Sequence, residues 1–308
     1  MKVLNRYISL LFCLLLLASC ANEEKQSDPN AKPMIVTTTG MIGDAVEAIV
    51  GDDFDVISLM GPGVDPHLYK AKRGDLISLR NASSIIYNGL HLEGKMGEIL
   101  EKLGKEKHVV ALGEGINEDK LIFHGESQDS KDPHIWFDVA LWMQAVDYAG
   151  KALMKEYPDL KEKFAERMES YMQDLSVLDS FARSELATIP VEQRVLITAH
   201  DAFSYFGRAY QVEVRGLQGI STVAEFGLKD VKELVDFIVD RKIKAVFVES
   251  SIPAKSLEAV VDGCLQKGHE ISIGGTLYSD AMGEKGTDAG SYPGMVRSNV
   301  NTIVGALR

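Results

Sequence analysis

DLKEKFAERMESYMQDLSVLDSFARSELAT, residues Asp159 to Thr188, contains neither glycine nor proline. Leu160, Phe164, Met168, Tyr171, Leu175, Leu178 and Phe181 recur in it at intervals of three and four, the period of one apolar face of an α-helix. Pro158 suits the first turn of such a helix and Pro190 lies beyond its end. A helix of that span would be about 45 Å long, at about 1.5 Å per residue. That is longer than one small domain needs, so the stretch reads as a stiff connector between two bodies. A helix packed on both would restrict them to small tilts, where a flexible crossover would allow a wide hinge.

The sequence on either side of this stretch supports two such bodies. Upstream, Ile35–Thr38, Asp55–Leu59, Ser84–Tyr87 and Val109–Leu112 are short runs rich in β-branched residues, separated by amphipathic segments. Downstream, Arg194–Thr198, Val212–Val214, Ala245–Val248 and Glu270–Ile273 repeat the plan, and Val231, Leu234, Val235, Ile238 and Val239 mark a helix between two of them. The fold class is therefore α/β: two lobes, each a mostly parallel sheet flanked by helices, joined by one long helix. The boundaries fall at 34–157 for the first lobe, 158–188 for the connector and 189–308 for the second lobe.

At the amino-terminal end, Lys2 and Arg6 precede an apolar run from Tyr7 to Leu17 interrupted only by Ser9, the pattern of an export signal. The run is too short to span a bilayer. It ends in Leu17-Ala18-Ser19-Cys20, which resembles the bacterial lipobox. That resemblance implies a signal peptide over 1–19, acylation of Cys20 as the membrane anchor, and a solvated tether over 20–33. The other cysteines are Cys13, inside the signal, and Cys264. No disulfide is available to the mature domain, so its core must hold it. Cys264 falls in line with Leu257, Val261 and Leu265 and reads as a small buried hydrophobe.

With 308 residues, 45% of them hydrophobic, the chain is globular, and a net charge of −12 argues against nucleic acid as a partner. Chemistry-bearing residues then narrow the field. His67 and His134 each follow an Asp-Pro pair, in Gly63-Val64-Asp65-Pro66-His67 and Asp132-Pro133-His134-Ile135-Trp136-Phe137-Asp138. Proline fixes its own φ and keeps the residue before it extended, so each imidazole is presented from a rigid turn. His200 follows the strand ending at Thr198, where open α/β sheets bind ligands. Neutral imidazole is a common ligand of first-row ions and needs an oxygen partner here. Asp280, on a Gly-flanked loop after the last strand, and Glu249, at the end of the strand through Val248, both qualify. The gaps between these residues match no short zinc-finger pattern, so spacing does not select among them.

Together with Tyr87-Asn88-Gly89-Leu90-His91-Leu92-Glu93, Thr198-Ala199-His200-Asp201-Ala202-Phe203, Gly216-Leu217-Gln218-Gly219-Ile220-Ser221 and Tyr278-Ser279-Asp280-Ala281-Met282, these segments carry a resemblance over nearly the whole mature chain. It is to the metal-binding family of ABC-transporter solute-binding proteins, the zinc and manganese group. The resemblance implies two lobes joined by one long helix and a single metal ion held between them. Its ligands fall on His67, His134, His200 and Asp280, and delivery is to ABC permease subunits at the extracytoplasmic face, in a periplasm or at a cell surface. A monomer is expected. Three imidazoles and one carboxylate suit zinc and tolerate manganese or ferrous iron. Zinc-dedicated members carry a loop rich in His and acids, whereas Glu114–Lys131 holds only His124, which argues against a dedicated zinc scavenger.

The remaining candidates have plainer readings. His91 packs or caps beside the site, and His108, His124 and His269 are surface or strand-entry residues. Asp65 and Asp132 form turns or orient the histidines, and Glu225 and Phe226 near Gly227 line the cleft. An enzyme is not expected: a catalytic zinc keeps an open position beside a general base, and the chain has no His-Glu-x-x-His, nucleophile elbow, Walker loop or dinucleotide fingerprint. A surface adhesin or structural lipoprotein with a structural metal is the alternative class, and the chain shows no stalk-like repeat to favour it.

Overall fold

The computed structural model describes residues 32–125 and 130–308. The expected signal and the expected acylation site Cys20 lie outside the described residues, and no helix among the described residues is long and apolar enough to cross a membrane.

The first lobe runs β1 (Met34–Thr39), α1 (Gly40–Val50), β2 (Asp55–Met60), α2 (Arg73–Asn81), β3 (Ser84–Tyr87), α3 (Gly97–Leu103) and β4 (His108–Ala111). Its four strands are parallel in the order β2-β1-β3-β4. β1 and β3 are central and buried on both faces, which is why they read as continuous apolar runs. Successive side chains point to opposite faces, so Ile35 and Ile86 join one apolar cluster while Val36 and Ile85 join another with Leu79, Met96 and Leu100. A short antiparallel hairpin, β5 (Phe123–His124) with β6 (Ser130–Lys131), leads to α4 (Val139–Glu156), whose first turn is capped by the Asp138 carboxylate accepting from Leu141 N–H at 3.1 Å.

The connecting helix, α5, spans Lys161–Leu186. Pro158–Leu160 form a separate 3₁₀ turn before it, with Leu160 at φ −105° and ψ 2°, so the α-helix starts two residues later than the apolar pattern predicts. Its 26 residues span about 39 Å. Phe164, Tyr171, Leu175, Leu178, Ala182 and Leu186 are buried in one apolar cluster that extends into both lobes. Polar bonds fasten the two ends. Arg167 donates to Val50 O at 2.6 Å and to Asp53 Oδ2 at 2.7 Å in the first lobe. Arg183 donates to Ala209 O at 2.7 Å, and Tyr210 donates to Asp179 Oδ1 at 3.1 Å, at the second.

The second lobe comprises β7 (Val195–His200), α6 (Ser204–Tyr210), β8 (Glu213–Gln218), α7 (Leu228–Arg241), β9 (Ala245–Glu249), α8 (Lys255–Gln266), β10 (Ser272–Leu277) and α9 (Tyr292–Leu307). Its strands bond as two parallel pairs, β7 with β8 and β9 with β10, and β7 runs beside β9. All four strands run further than their β-branched runs predict, β9 by one residue, to Glu249. β7 continues to His200 and β8 to Gln218, because these residues pair with each other. The last strand is not Glu270–Ile273 but Ser272–Leu277: it continues through Gly274 and Gly275, with a register shift and φ 143° at Gly275. A Cβ on Gly274 would lie 2.8 Å from both Phe247 and Ala306, so glycine there lets α9 pack directly on the strand. Cys264 is buried and unpaired in the second lobe's own apolar cluster.

Candidate metal centre

His67 stands on the turn after β2. The Asp65 Oδ1 atom accepts its backbone N–H at 2.9 Å, closing an Asx turn around Pro66. Gly94 lies against the same turn with φ 32°, where a Cβ would come within 2.7 Å of the His67 carbonyl. His134 is held more tightly: Asp132 Oδ1 accepts its backbone N–H at 2.9 Å and its Nδ1–H at 2.7 Å. Asn88 Nδ2 steadies the turn by donating to Pro133 O at 2.9 Å, and Tyr205 donates to Asp132 O at 3.0 Å from the second lobe.

His200 ends β7. Glu249, at the end of neighbouring β9, accepts its backbone N–H at 2.9 Å through Oε1 and sets Oε2 2.6 Å from Nδ1. That second contact is an ion pair lying off the line of a hydrogen bond, since neither atom has a hydrogen-bond partner. Asp280 follows β10 on a loop fastened from several sides. Trp136 Nε1 donates to Ser279 O at 3.0 Å across the lobes, the Ser251 and Ser279 hydroxyls are 2.9 Å apart, and Asn299 bonds both Tyr278 N (2.9 Å) and Tyr278 O (2.7 Å).

These four side chains converge and are buried. His67 and His134 bring their Nε2 atoms to 3.3 Å. Asp280 Oδ2 is 3.7 Å from His67 Nε2 and 3.4 Å from His200 Nε2, and its Oδ1 is 3.6 Å from His134 Nε2. A tetrahedron with metal–ligand distances of about 2.0–2.1 Å has edges of about 3.3–3.4 Å, so the spacing fits one first-row ion at the centre. Both Asp280 oxygens and His200 Nε2 are buried with no hydrogen-bond partner, an expensive arrangement that a cation relieves. With both oxygens facing the imidazoles, Asp280 can serve as a one- or two-atom ligand, giving four or five donors.

The protonation chemistry matches. Burial drives the His67 imidazole down to about 4, against the pull of Asp280, so it is neutral and ligand-ready near pH 7. Burial also works against charge on His200, but Glu249 and then Asp280 overcome it and hold this imidazole well above its ordinary range. Asp280, despite its burial, is kept far below the usual carboxylate range by His200, His134 and His67. Asp132, likewise buried, is held down to about 2 by His134 and His124. Asp132 and Glu249 thus place carboxylates on the Nδ1 side of two imidazoles and turn their Nε2 atoms toward the centre, where His200 must give up its proton before it can bind a metal.

Of the two acids that follow second-lobe strands, Asp280 enters the convergent group, whereas Glu249 buttresses His200 from behind. Several secondary readings are corrected. His91 is exposed, with φ 66°, and does not face the centre. The buried acid of that motif, Glu93, accepts from Thr38 Oγ1 at 2.7 Å and Asn88 N at 2.6 Å and pins the loop that carries Asn88. His124 is not a free surface residue but bonds Asp132 Oδ2 at 3.2 Å; His108 opens β4, as a strand-entry residue should, and bonds Ser84 Oγ at 2.8 Å, and His269 bonds Ile243 O at 2.7 Å. Glu225 and Phe226 are exposed. Their neighbour Thr222 reaches across the cleft.

Residues 35–306 match the family model of ZnuA, the periplasmic component A of a zinc-uptake complex. The chain belongs to this family, the metal-binding solute-binding proteins of ABC importers. It is 49% identical over 300 residues to the manganese-binding lipoprotein MntA of Bacillus subtilis, covering 97% of this chain and 98% of that protein. It is also 49% identical over 283 residues to the zinc-binding protein TroA of Treponema pallidum, covering 92% of this chain and 91% of that protein. The solved structure of the periplasmic zinc-binding TroA superposes with a TM-score of 0.88 at 50% identity, over 90% of this chain and 99% of the other. The family's two lobes and long connecting helix are those described above.

Proposed function

We propose that the protein is the lipid-anchored capture component of a metal importer. It binds one zinc or manganese ion, with ferrous iron also tolerated, between His67 and His134 of the first lobe (34–157) and His200 and Asp280 of the second (189–308). It is a monomer tethered through acylated Cys20 on the extracytoplasmic side, delivers its ion to the permease subunits, and performs no catalytic turnover.

The observation that carries this reading is the buried Asp280 carboxylate, unpartnered and ringed by three Nε2 atoms at first-row ligand spacing. Four protein donors close a tetrahedral shell, which suits storage and hand-over, since catalysis needs an open position. Two relatives of equal identity are named for different metals, one for manganese and one for zinc. The cargo is therefore decided by competition, against the general tendency of affinity to follow the Irving–Williams order.

The test is elemental analysis of a soluble form beginning at Ala21, purified without added metal, followed by competitive zinc and manganese titration of wild type and His200→Ala. One tightly held ion per chain, weakened in the variant, is expected. A wild-type protein that holds no metal and gains no thermal stability from either ion sinks the reading.

A further inference from the structure

The geometry assigns Thr222 a positioning role in metal retention: its hydroxyl latches the second lobe onto the turn that carries His67 and so sets the rate at which the ion leaves. This rests on the capture function proposed above and concerns its kinetics.

The latch is one link in a chain of bonds that runs around the outside of the centre, from one ligand to another across the cleft. His200 pairs in register with Gln218, whose carbonyl also accepts Asp201 N–H at 3.0 Å. The Gln218 side chain turns outward and donates through Nε2 to Thr222 O at 2.8 Å and to Ala224 O, shaping the loop that follows β8. From that loop Thr222 Oγ1 donates to Asp65 Oδ2 at 2.6 Å, and Asp65 Oδ1 accepts the backbone N–H of His67 at 2.9 Å. A single carboxylate thus shapes the His67 turn with one oxygen and receives the opposite lobe with the other.

Three of the other bonds that cross between the lobes near the site lie deeper, while the His124–Asp201 contact, at 3.9 Å, is partly exposed. Trp136 to Ser279, Tyr205 to Asp132 and Tyr292 to Trp136 O are all buried and belong to the packed core. Thr222 differs from them. It is half-buried on a loop where Val223 is 59% exposed and Phe226 36%, packed on little, so it can part from Asp65 without disturbing the core. Without the latch the His67 turn keeps its Asx bond but loses its tie to the second lobe. The ligand is then retained, while the opening motion becomes more frequent.

The experiment compares wild type, Thr222→Val and Thr222→Ser, each loaded with one zinc ion, by stopped-flow release into excess chelator, with association measured separately and thermal melting as a fold control. Valine keeps the shape and removes the donor, and serine keeps the donor. Release about tenfold faster in Thr222→Val, with association unchanged and with Thr222→Ser near wild type, is expected for loss of one hydrogen bond to a charged acceptor. Equal release from wild type and Thr222→Val, or a Thr222→Ser protein as fast as Thr222→Val, overturns the latch while leaving the capture function standing. A wild-type protein that takes up no zinc or manganese removes both.

Discussion

The two lobes hold their proposed ligands by different means. In the first, His67 and His134 are set by bonds within a few residues: each backbone N–H is accepted by the aspartate two positions earlier, with proline between. In the second, His200 is set by Glu249, 49 residues away on another strand, and the Asp280 loop by Asn299 on α9 and Trp136 of the opposite lobe. Local turns form whether or not the lobes meet, whereas the second pair exists only when strands, helix and opposite lobe are assembled. The first lobe is therefore expected to be the preformed half of the proposed centre and the second the half that responds to metal.

The strongest attack on this contrast is Asp280→Ala. Among the four proposed ligands, Asp280 is the only anion and makes the contact common to all three imidazoles. Its loss is expected to weaken zinc binding by more than about 100-fold, beyond the range typical of residues that merely orient a ligand, and to abolish the thermal shift on metal addition. Competition titration with melting curves measures both. An alanine variant that keeps affinity and thermal shift removes Asp280 from the centre.

The orienting carboxylates sharpen the comparison. Asp132→Asn and Glu249→Gln should each cost about 10–100-fold in affinity, with Glu249→Gln the larger loss. The His134 turn keeps its Asn88 and Tyr205 supports when Asp132 changes, while Glu249 bonds the His200 backbone and supplies the charge beside its ring. The reverse order in the same titration would mean that the first lobe is no better preformed than the second. A smaller effect concerns protons. The metal-free pocket favours protonated His200, which must become neutral to bind, so affinity should rise with pH by about tenfold per unit while that proton is displaced. Calorimetry in buffers of different ionisation enthalpy should count one proton released. Zero protons released near pH 7 would show that His200 is already neutral.

How much of this could be read from the sequence follows the same division. The connecting helix and the eight strands are written as apolar periodicity, and the Asp-Pro-His turns are local enough to recognise by eye. Glu249 and Asp280 are chemically alike and each follows a second-lobe strand, so periodicity and spacing leave them equal, and only the resemblance to a family favoured Asp280. Their separation is tertiary: Glu249 bonds the end of β7, whereas Asp280 lies beyond β10 on a loop held so that it faces the three imidazoles. Glu225 and Phe226 have the chemistry of a cleft wall but face solvent, while Thr222, an ordinary hydroxyl in a polar loop, makes the crossing. His124 was equally hidden, because a two-residue strand carries no period to read.

His124 supplies the last and smallest test, because it stands where the two halves meet outside the metal. Its Nε2 bonds Asp132 of the first lobe at 3.2 Å, and its Nδ1 is 3.9 Å from Asp201 Oδ2, the residue after His200. The Asp132 hydrogen bond, outweighing burial, raises its pKa above the ordinary value. A histidine with a raised folded-state pKa stabilises the fold fully below its unfolded pKa of about 6.5 and loses that contribution as pH climbs through the folded value. The metal-free wild type should therefore exceed His124→Gln in stability by more at pH 5.5 than at pH 9, by a difference below about 1 kcal/mol because the imidazole is partly exposed. Urea melts of both proteins at the two pH values measure the gap. A gap that is constant, or wider at pH 9, would mean that the charged imidazole does not stabilise the fold through its bond to Asp132.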